Sequence, residues 1–262
     1  MNMNPKLLGV EKLCCRLGGR DILRDVSFSL VRGGCLSVIG ANGAGKSTLI
    51  RCLAGLVESW TGHINLSERA LQDYAPHERA RVVSYVPQSI HHVIPFSVFE
   101  FMLQSRYPFY RHSVPSPADH KAAREALDVV GMAGFAQRRM STLSGGECQL
   151  VLIAAALCSA PSVMLLDEPV THLDYRHALK VQQILRRLNE EQGIALVSVL
   201  HDVNQAVALG GEVLALKDGC VAFCGAAKGL LDQPKRLYDV YGVHFEMLRM
   251  PGERGDLVLP VD

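Results

Sequence analysis

Residues Gly40–Thr48 read GANGAGKST. A short apolar run, Cys35–Ile39, precedes them, and Leu49, Ile50, Leu53 and Ala54 follow at helical spacing. Together these segments predict a buried strand, a glycine-rich turn and a helix in succession. The nine residues Gly40, Ala41, Asn42, Gly43, Ala44, Gly45, Lys46, Ser47 and Thr48 match the phosphate-binding pattern G-x-x-x-x-G-K-[ST] in the context that pattern requires. Glycines let successive backbone N–H groups turn inward on an anion, and the start of a helix adds a favourable dipole. In this reading Lys46 reaches the β- and γ-phosphates of a nucleotide and the Ser47 hydroxyl ligates Mg²⁺.

The rest of the chain fits an α/β domain. Val82–Val86, Val163–Leu166 and Ile194–Leu200 are further buried-strand candidates, alternating with longer amphipathic stretches as in a mostly parallel sheet. Tyr175–Glu190 places Ala178, Val181, Ile184, Leu185 and Leu188 on one helical face. Val213–Leu216 and Cys220–Phe223 flank Asp218-Gly219, a tight-turn dipeptide that predicts a hairpin. Between Ser89 and Leu143 the composition shifts. Pro95, Pro108, Pro115 and Pro117 punctuate short helices such as Lys121–Val130, which predicts a helical insert in the α/β core.

Charge and composition narrow the function classes. The chain has 262 residues, 48% hydrophobic, with 27 basic and 26 acidic side chains and a net charge of +1. That is enough chain for a sizeable core, and the neutral balance without like-charge blocks argues against a nucleic-acid binder held by phosphate neutralisation. The longest uncharged stretch, Cys148–Leu166, nominally has the length of a bilayer span, but Ser159, Pro161 and Ser162 cut it, so it reads as a buried helix followed by a buried strand. The first residues, MNMNPKLLGVEK, lack the pattern of a secretory signal, so a cytosolic chain is expected. Its 8 cysteines contain no C-x-x-C. Cys220 and Cys224, four apart in a strand, would lie roughly 13 Å apart, too far to share one ion. All eight are expected to be reduced, buried and hydrophobic in role. The His91-His92 pair has no partner at a ligand spacing and reads as a polar loop.

Two further segments carry chemistry. VMLLDEP, Val163–Pro169, is an apolar strand ending in two acids. Beside a phosphate loop, Asp167 is placed to hold Mg²⁺ directly or through water, and Glu168, on the other side of the strand end, to polarise an attacking water. LSGGE, Leu143–Glu147, precedes an apolar helix read as Cys148–Cys158, so Ser144, Gly145 and Gly146 present a second anion-binding helix start. One nucleotide needs only one such cradle.

With this second cradle in place the chain resembles the ATP-binding cassette (ABC) family over nearly its whole length. GANGAGKST resembles the Walker A motif, Gln88 in VPQ the Q-loop, LSGGE the signature and VMLLDEP Walker B. Asp174 in THLD resembles the D-loop, and His201 after VSVL the switch histidine. The resemblance implies a P-loop NTPase (RecA-like) core with a mostly parallel sheet, an N-terminal antiparallel β subdomain and an inserted α-helical subdomain. It divides a single domain, 1–262, into an α/β core (1–88 and 159–240), a helical subdomain (89–158) and a tail (241–262). It also implies that two copies stack head to tail, so that Ser144, Gly145, Gly146, Glu147 and Asp174 of one copy act on ATP held by the other. Gln88 would touch Mg²⁺ or the attacking water, and His201 would bond the γ-phosphate and align Glu168 with water. Two positions depart from the family. Leu17, with Arg16 beside it, occupies the place of the usual adenine-stacking aromatic, which predicts weak base discrimination. Cys148 follows LSGGE where a polar or basic residue is common; no loss is expected from it.

From Tyr85 to His244 the chain most resembles importer ATPases that serve iron-siderophore, haem and vitamin B12 permeases. The shared features include IPFSVFEFMLQSRYPF, EPVTHLDYRHALKVQQILRRLN, VLHDVNQAVAL and YDVYGV. Molybdate, zinc and manganese importers share much of the same pattern. The implied partners are a second copy, two membrane permease subunits met through the groove near Gln88 and residues 89–110, and indirectly an extracytoplasmic substrate-binding protein; no nucleic acid is implied. The implied place is the cytoplasmic face of the plasma membrane. A soluble cassette acting on DNA or ribosomes is a second reading, but such relatives carry a second cassette, long insertions or basic extensions that this sequence lacks. A nucleotide-binding subunit without turnover is a third, opposed by the presence of Glu168 and His201 and left open by Leu17.

Overall fold

The structure is a computed structural model and describes residues 6–90, 94–110, 114–171, 173–232, 234–248 and 257–261. The His91-His92 pair lies outside the described residues. The strands are β1 (Lys6–Leu17), β2 (Arg20–Val31), β3 (Cys35–Gly40), β4 (Trp60–Leu66), β5 (Arg69–Ala70), β6 (Val83–Val86), β7 (Val163–Asp167), β8 (Ala195–Val199), β9 (Glu212–Lys217), β10 (Cys220–Ala226), β11 (His244–Leu248) and β12 (Leu257–Val261). The helices are α1 (Lys46–Leu53), α2 (Pro76–Val82), α3 (Val98–Ser105), α4 (Pro117–Val130), α5 (Gly145–Leu157), α6 (Tyr175–Gln192), α7 (Val203–Leu209), α8 (Ala227–Leu231) and α9 (Pro234–Tyr241). They form two compact units, Met1–Leu71 with Ala195–Asp262, and Gln72–Ile194.

In the first unit β2, β1, β4 and β5 make an antiparallel sheet in that order. A second set of strands centres on β3, which pairs in parallel with β8 (Ser37 opposite Ser198) and with β9 (Ser37 opposite Val213). Every residue of β3 and β8 is buried, as expected of strands covered on both faces. Ile39, Leu200, Val203, Ala206, Leu230 and Leu237 pack in one cluster behind these strands. At roughly 1.5–3 kcal/mol for each large apolar side chain removed from water, this cluster is what holds the loop-bearing end of β3 in place. β10 returns antiparallel to β9 through Asp218 and Gly219, at φ 49° and 79°, the left-handed pair that the tight turn requires.

In the second unit β6 and β7 pair in parallel, Tyr85 opposite Leu165. The Ser84 hydroxyl donates to the Ala156 carbonyl at 2.8 Å, tying β6 to α5, which is buried from Gln149 to Leu157. Arg106 fastens the insert. Its guanidinium donates to Asp119 at 2.9 Å and to the Cys158 carbonyl at 2.6 Å and lies 3.8 Å from the centroid of the Phe109 ring. Burial alone would raise the Asp119 carboxyl, but bonds from Ser116 and the guanidinium of Arg106 hold it below its ordinary range.

The expected architecture is what the chain adopts: mostly parallel pairing in the α/β part, an antiparallel N-terminal sheet, and helices inserted between β6 and β7. Three local expectations change. The signature helix starts at Gly145, not Cys148, because Ser144 caps it and Glu147 bonds back to the Ser144 amide. Similarly, α4 starts at Pro117, before Lys121, behind a Ser116/Asp119 capping box. The cysteines are all free thiols, but Cys220 and Cys224 are exposed and Cys14 and Cys148 half-buried. The reason at Cys220 and Cys224 is that β10 alternates, and its even-numbered positions, 220 to 226, face outward.

Candidate nucleotide site

The first unit carries the phosphate loop. β3 ends at Gly40 with φ 146°, where a Cβ would lie 2.2 Å from the Leu216 carbonyl oxygen, so the loop leaves the strand through a space that admits only glycine. Gly45 sits at φ 100° as the residue before α1, where a Cβ would lie 2.8 Å from Leu23 Cδ2 and 2.9 Å from the Ile22 carbonyl oxygen. No side chain caps α1. A left-handed glycine and an uncapped first turn are the construction in which helix N-termini take anions. Lys46 is buried, and its Nζ donates to the carbonyls of Gly40 at 2.8 Å and Ala41 at 3.0 Å, which holds an ammonium across the loop.

His201 follows β8, where the Leu200 amide donates to the Val38 carbonyl at 3.0 Å. It therefore stands at the same C-terminal strand edge as the loop, the edge at which open α/β sheets bind ligands. Leu17 ends β1 opposite Arg20 and is 37% exposed. The Arg16 guanidinium beside it donates to the Gly19 carbonyl at 3.2–3.3 Å and lies 3.6 Å from Asp21, so the hairpin itself occupies this side chain.

The second unit carries the carboxylates, Gln88 and the other cradle. Asp167, the last residue of β7, is 3% exposed and accepts a hydrogen bond from the Tyr85 hydroxyl at 3.3 Å. Glu168 is 8% exposed and accepts from Gln88 Nε2 at 2.6 Å. Its φ of 53° is left-handed, a conformation that costs a non-glycine residue on the order of 1 kcal/mol or more and concentrates at functional sites. The two neighbouring acids thus have different partners. Ser144 caps α5, accepting from the Glu147 amide at 3.3 Å, and Glu147 accepts from the Ser144 amide at 2.8 Å; that N–H bond is the main cause holding the Glu147 carboxyl below its ordinary range. Asp174 caps α6 and accepts from the His177 amide at 2.8 Å, which lowers its carboxyl likewise.

Oxygen donors suit a hard divalent cation; the first unit offers the Ser47 hydroxyl and the second the Asp167 carboxylate. Among the described residues no group of three or more His, Cys, Asp or Glu is placed to hold a metal unaided. Mg²⁺ is a cation of this kind, usually held by one or two carboxylates together with substrate phosphates. Tyr85 and His177 escaped the sequence reading, since each acts through a tertiary or cap contact that no linear pattern announces. The left-handed φ of Glu168 escaped it for the same reason.

Comparison with known proteins shows the family. Residues 23–171 match the ABC transporter family model. The iron(3+)-hydroxamate import ATP-binding protein FhuC of Bacillus subtilis is 32% identical, covering 97% of this chain and 95% of its own length. The hemin import ATP-binding protein HmuV of Bordetella avium is 36% identical, covering 96% and 98%. A solved inward-facing structure described as a metal-chelate type ABC transporter superposes with a TM-score of 0.85 at 28% identity, covering 98% of each chain. Among the described residues no helix is long and apolar enough to cross a membrane. The chain belongs to the ABC transporter family, in which it resembles the ATP-binding subunits.

Proposed function

We propose that this chain is the ATP-hydrolysing subunit of an importer that takes up a metal chelate through separate permease subunits. Lys46 and the amides of residues 40–48 bind the ATP phosphates, Ser47 and Asp167 hold Mg²⁺, and Glu168 polarises the attacking water. Mg²⁺ supplies charge neutralisation on the transferring phosphoryl group. Gln88 holds Glu168 in line, and His201 bonds the γ-phosphate. The signature cradle, residues 144–147, and Asp174 engage ATP bound by a second copy. Closure is then a population shift driven by ATP contacts made only in the closed pair, and hydrolysis reverses it. The observation that carries the hydrolytic reading is Glu168 itself, a buried carboxylate in a strained conformation and oriented by Gln88 at 2.6 Å. An inert nucleotide-binding subunit has no use for that arrangement.

The cargo class rests on the relatives, one named for an iron hydroxamate and one for hemin, which have a chelated metal in common. The protein would act at the cytoplasmic face of the membrane, attached through the permease, with a substrate-binding protein delivering cargo outside. Mg²⁺-dependent ATPase assay of the protein with and without Glu168→Gln tests the chemistry. The substitution is expected to lower turnover by about 10²- to 10⁴-fold while ATP binding persists. Hydrolysis at the native rate would remove Glu168 from this role. Co-purification from membranes of a permease that moves an iron chelate tests the cargo.

A further inference from the structure

We propose that His177 is a positioning residue that ties Asp174 to the signature cradle, so that both segments meet a second copy's ATP as one body. The proposal deepens the dimer reading above and rests on it. His177 stands in the first turn of α6, three residues beyond Asp174. Its backbone amide bonds one carboxylate oxygen at 2.8 Å, and its ring Nδ1 lies 2.9 Å from that oxygen and 3.0 Å from the other. The backbone amides of His177 and Arg176 hold the carboxylate from the helix side only. A ring reaching both oxygens fixes its rotation.

The other side of the ring meets α5. A Cβ built on Gly146 would lie 2.5 Å from His177 Cγ and 2.6 Å from Cδ2, whereas one built on Gly145 would meet nothing within 4 Å. Of the two signature glycines, then, the second is demanded by the imidazole, which fills the space any side chain at 146 would need. Asp174 on its own helix is bonded to the ring, and Glu147 on α5, itself near Arg138, is close enough to feel the ring's charge. Hydrogen bonds to backbone amides hold both carboxyls below their ordinary range, and the ring is bonded to Asp174 while its other face lies against Gly146. A side chain that served only to cap α6 would not need to reach α5, because the Asp174 carboxylate already performs the capping.

The test uses the full chain with Glu168→Gln, so that ATP is bound without being consumed, and measures ATP-driven dimerisation by analytical ultracentrifugation. His177→Leu keeps bulk against Gly146 but removes the donor; His177→Asn keeps an N–H close to the position of Nδ1. His177→Leu is expected to weaken dimerisation about 3- to 10-fold, the scale of one charged hydrogen bond discounted for exposure, and His177→Asn to stay within about two-fold of the parent. ATP affinity of the monomer and the melting temperature should stay unchanged in both. Dimerisation of the leucine variant equal to the parent's, or an equal loss in both variants, would overturn the proposal. So would a parallel fall in melting temperature and monomer ATP affinity, which would make His177 merely structural. If Glu168→Gln alone forms no dimer with ATP, the dimer reading fails first and this proposal with it.

Discussion

Two helix starts in this chain are built around glycines, and they are built in opposite ways. α1 opens behind Gly45 with no capping side chain and with the Lys46 ammonium folded over the loop. α5 opens behind Ser144 with its capping box closed, so the Ser144 and Glu147 amides are both bonded and the Glu147 carboxylate stands at the positive end of the helix. A helix start takes anions through open amides and local positive charge. The first cradle has a cation and an open cap. The second has a fixed anion and a closed one, so by itself it is a poor phosphate site. The contrast supports the proposal that residues 40–48 bind ATP directly and that 144–147 meet a nucleotide already held by a second copy.

The largest effect that sharpens this contrast is Glu168→Gln, where turnover should fall about 10²- to 10⁴-fold with both cradles intact. Steady-state ATPase against nucleotide binding on the same sample separates the two quantities. Next come substitutions that strike one cradle each. Gly146→Ala forces the His177 ring aside, and a displacement of about 1 Å in a positioning segment can lower turnover by roughly 10²-fold; monomer ATP affinity should not move. Lys46→Ala should do the reverse and weaken nucleotide binding by about 10- to 100-fold through loss of a charge-assisted bond. Isothermal titration reads both. Equal loss of monomer ATP affinity in the two variants would break the contrast.

The smallest effect concerns the base. Stacking on an aromatic side chain is worth about 1–3 kcal/mol, less whatever the apolar face of Leu17 already supplies. Leu17→Tyr should therefore tighten ATP binding by roughly 5-fold or more. It should also widen a preference over GTP that is slight in the native chain. A strong ATP preference in the native protein, measured by competition, would mean that Leu17 costs nothing.

Which parts of this were legible in the sequence follows from where the physics is written. The phosphate loop is a contiguous demand on the backbone and can be read directly, as can the buried strand before it and the Asp218-Gly219 turn. The start of α5 was misplaced because Gly145 and Gly146 are poor helix formers and resemble loop. The better signal was Ser144 with Glu147 three residues on, and the same spacing at Ser116 and Asp119 marks the true start of α4. The exposure of Cys220 and Cys224 depends on the outward alternation of β10, which composition does not reveal. Tyr85 on Asp167 and the His177 ring on Gly146 join segments far apart in the chain, so only the fold brings them to view.

The central claim is that the open cradle of one copy works with the closed cradle of another. It is tested most directly by mixing two impaired proteins, Lys46→Ala and Gly146→Ala, at an ATP concentration where each alone turns over at the background rate. A mixed dimer contains one site in which both cradles are native, so the account predicts ATP hydrolysis on mixing that neither protein shows alone. If the mixture stays as inactive as its components while each remains folded and the Gly146→Ala protein still binds ATP, the two cradles do not act across copies and the account is wrong.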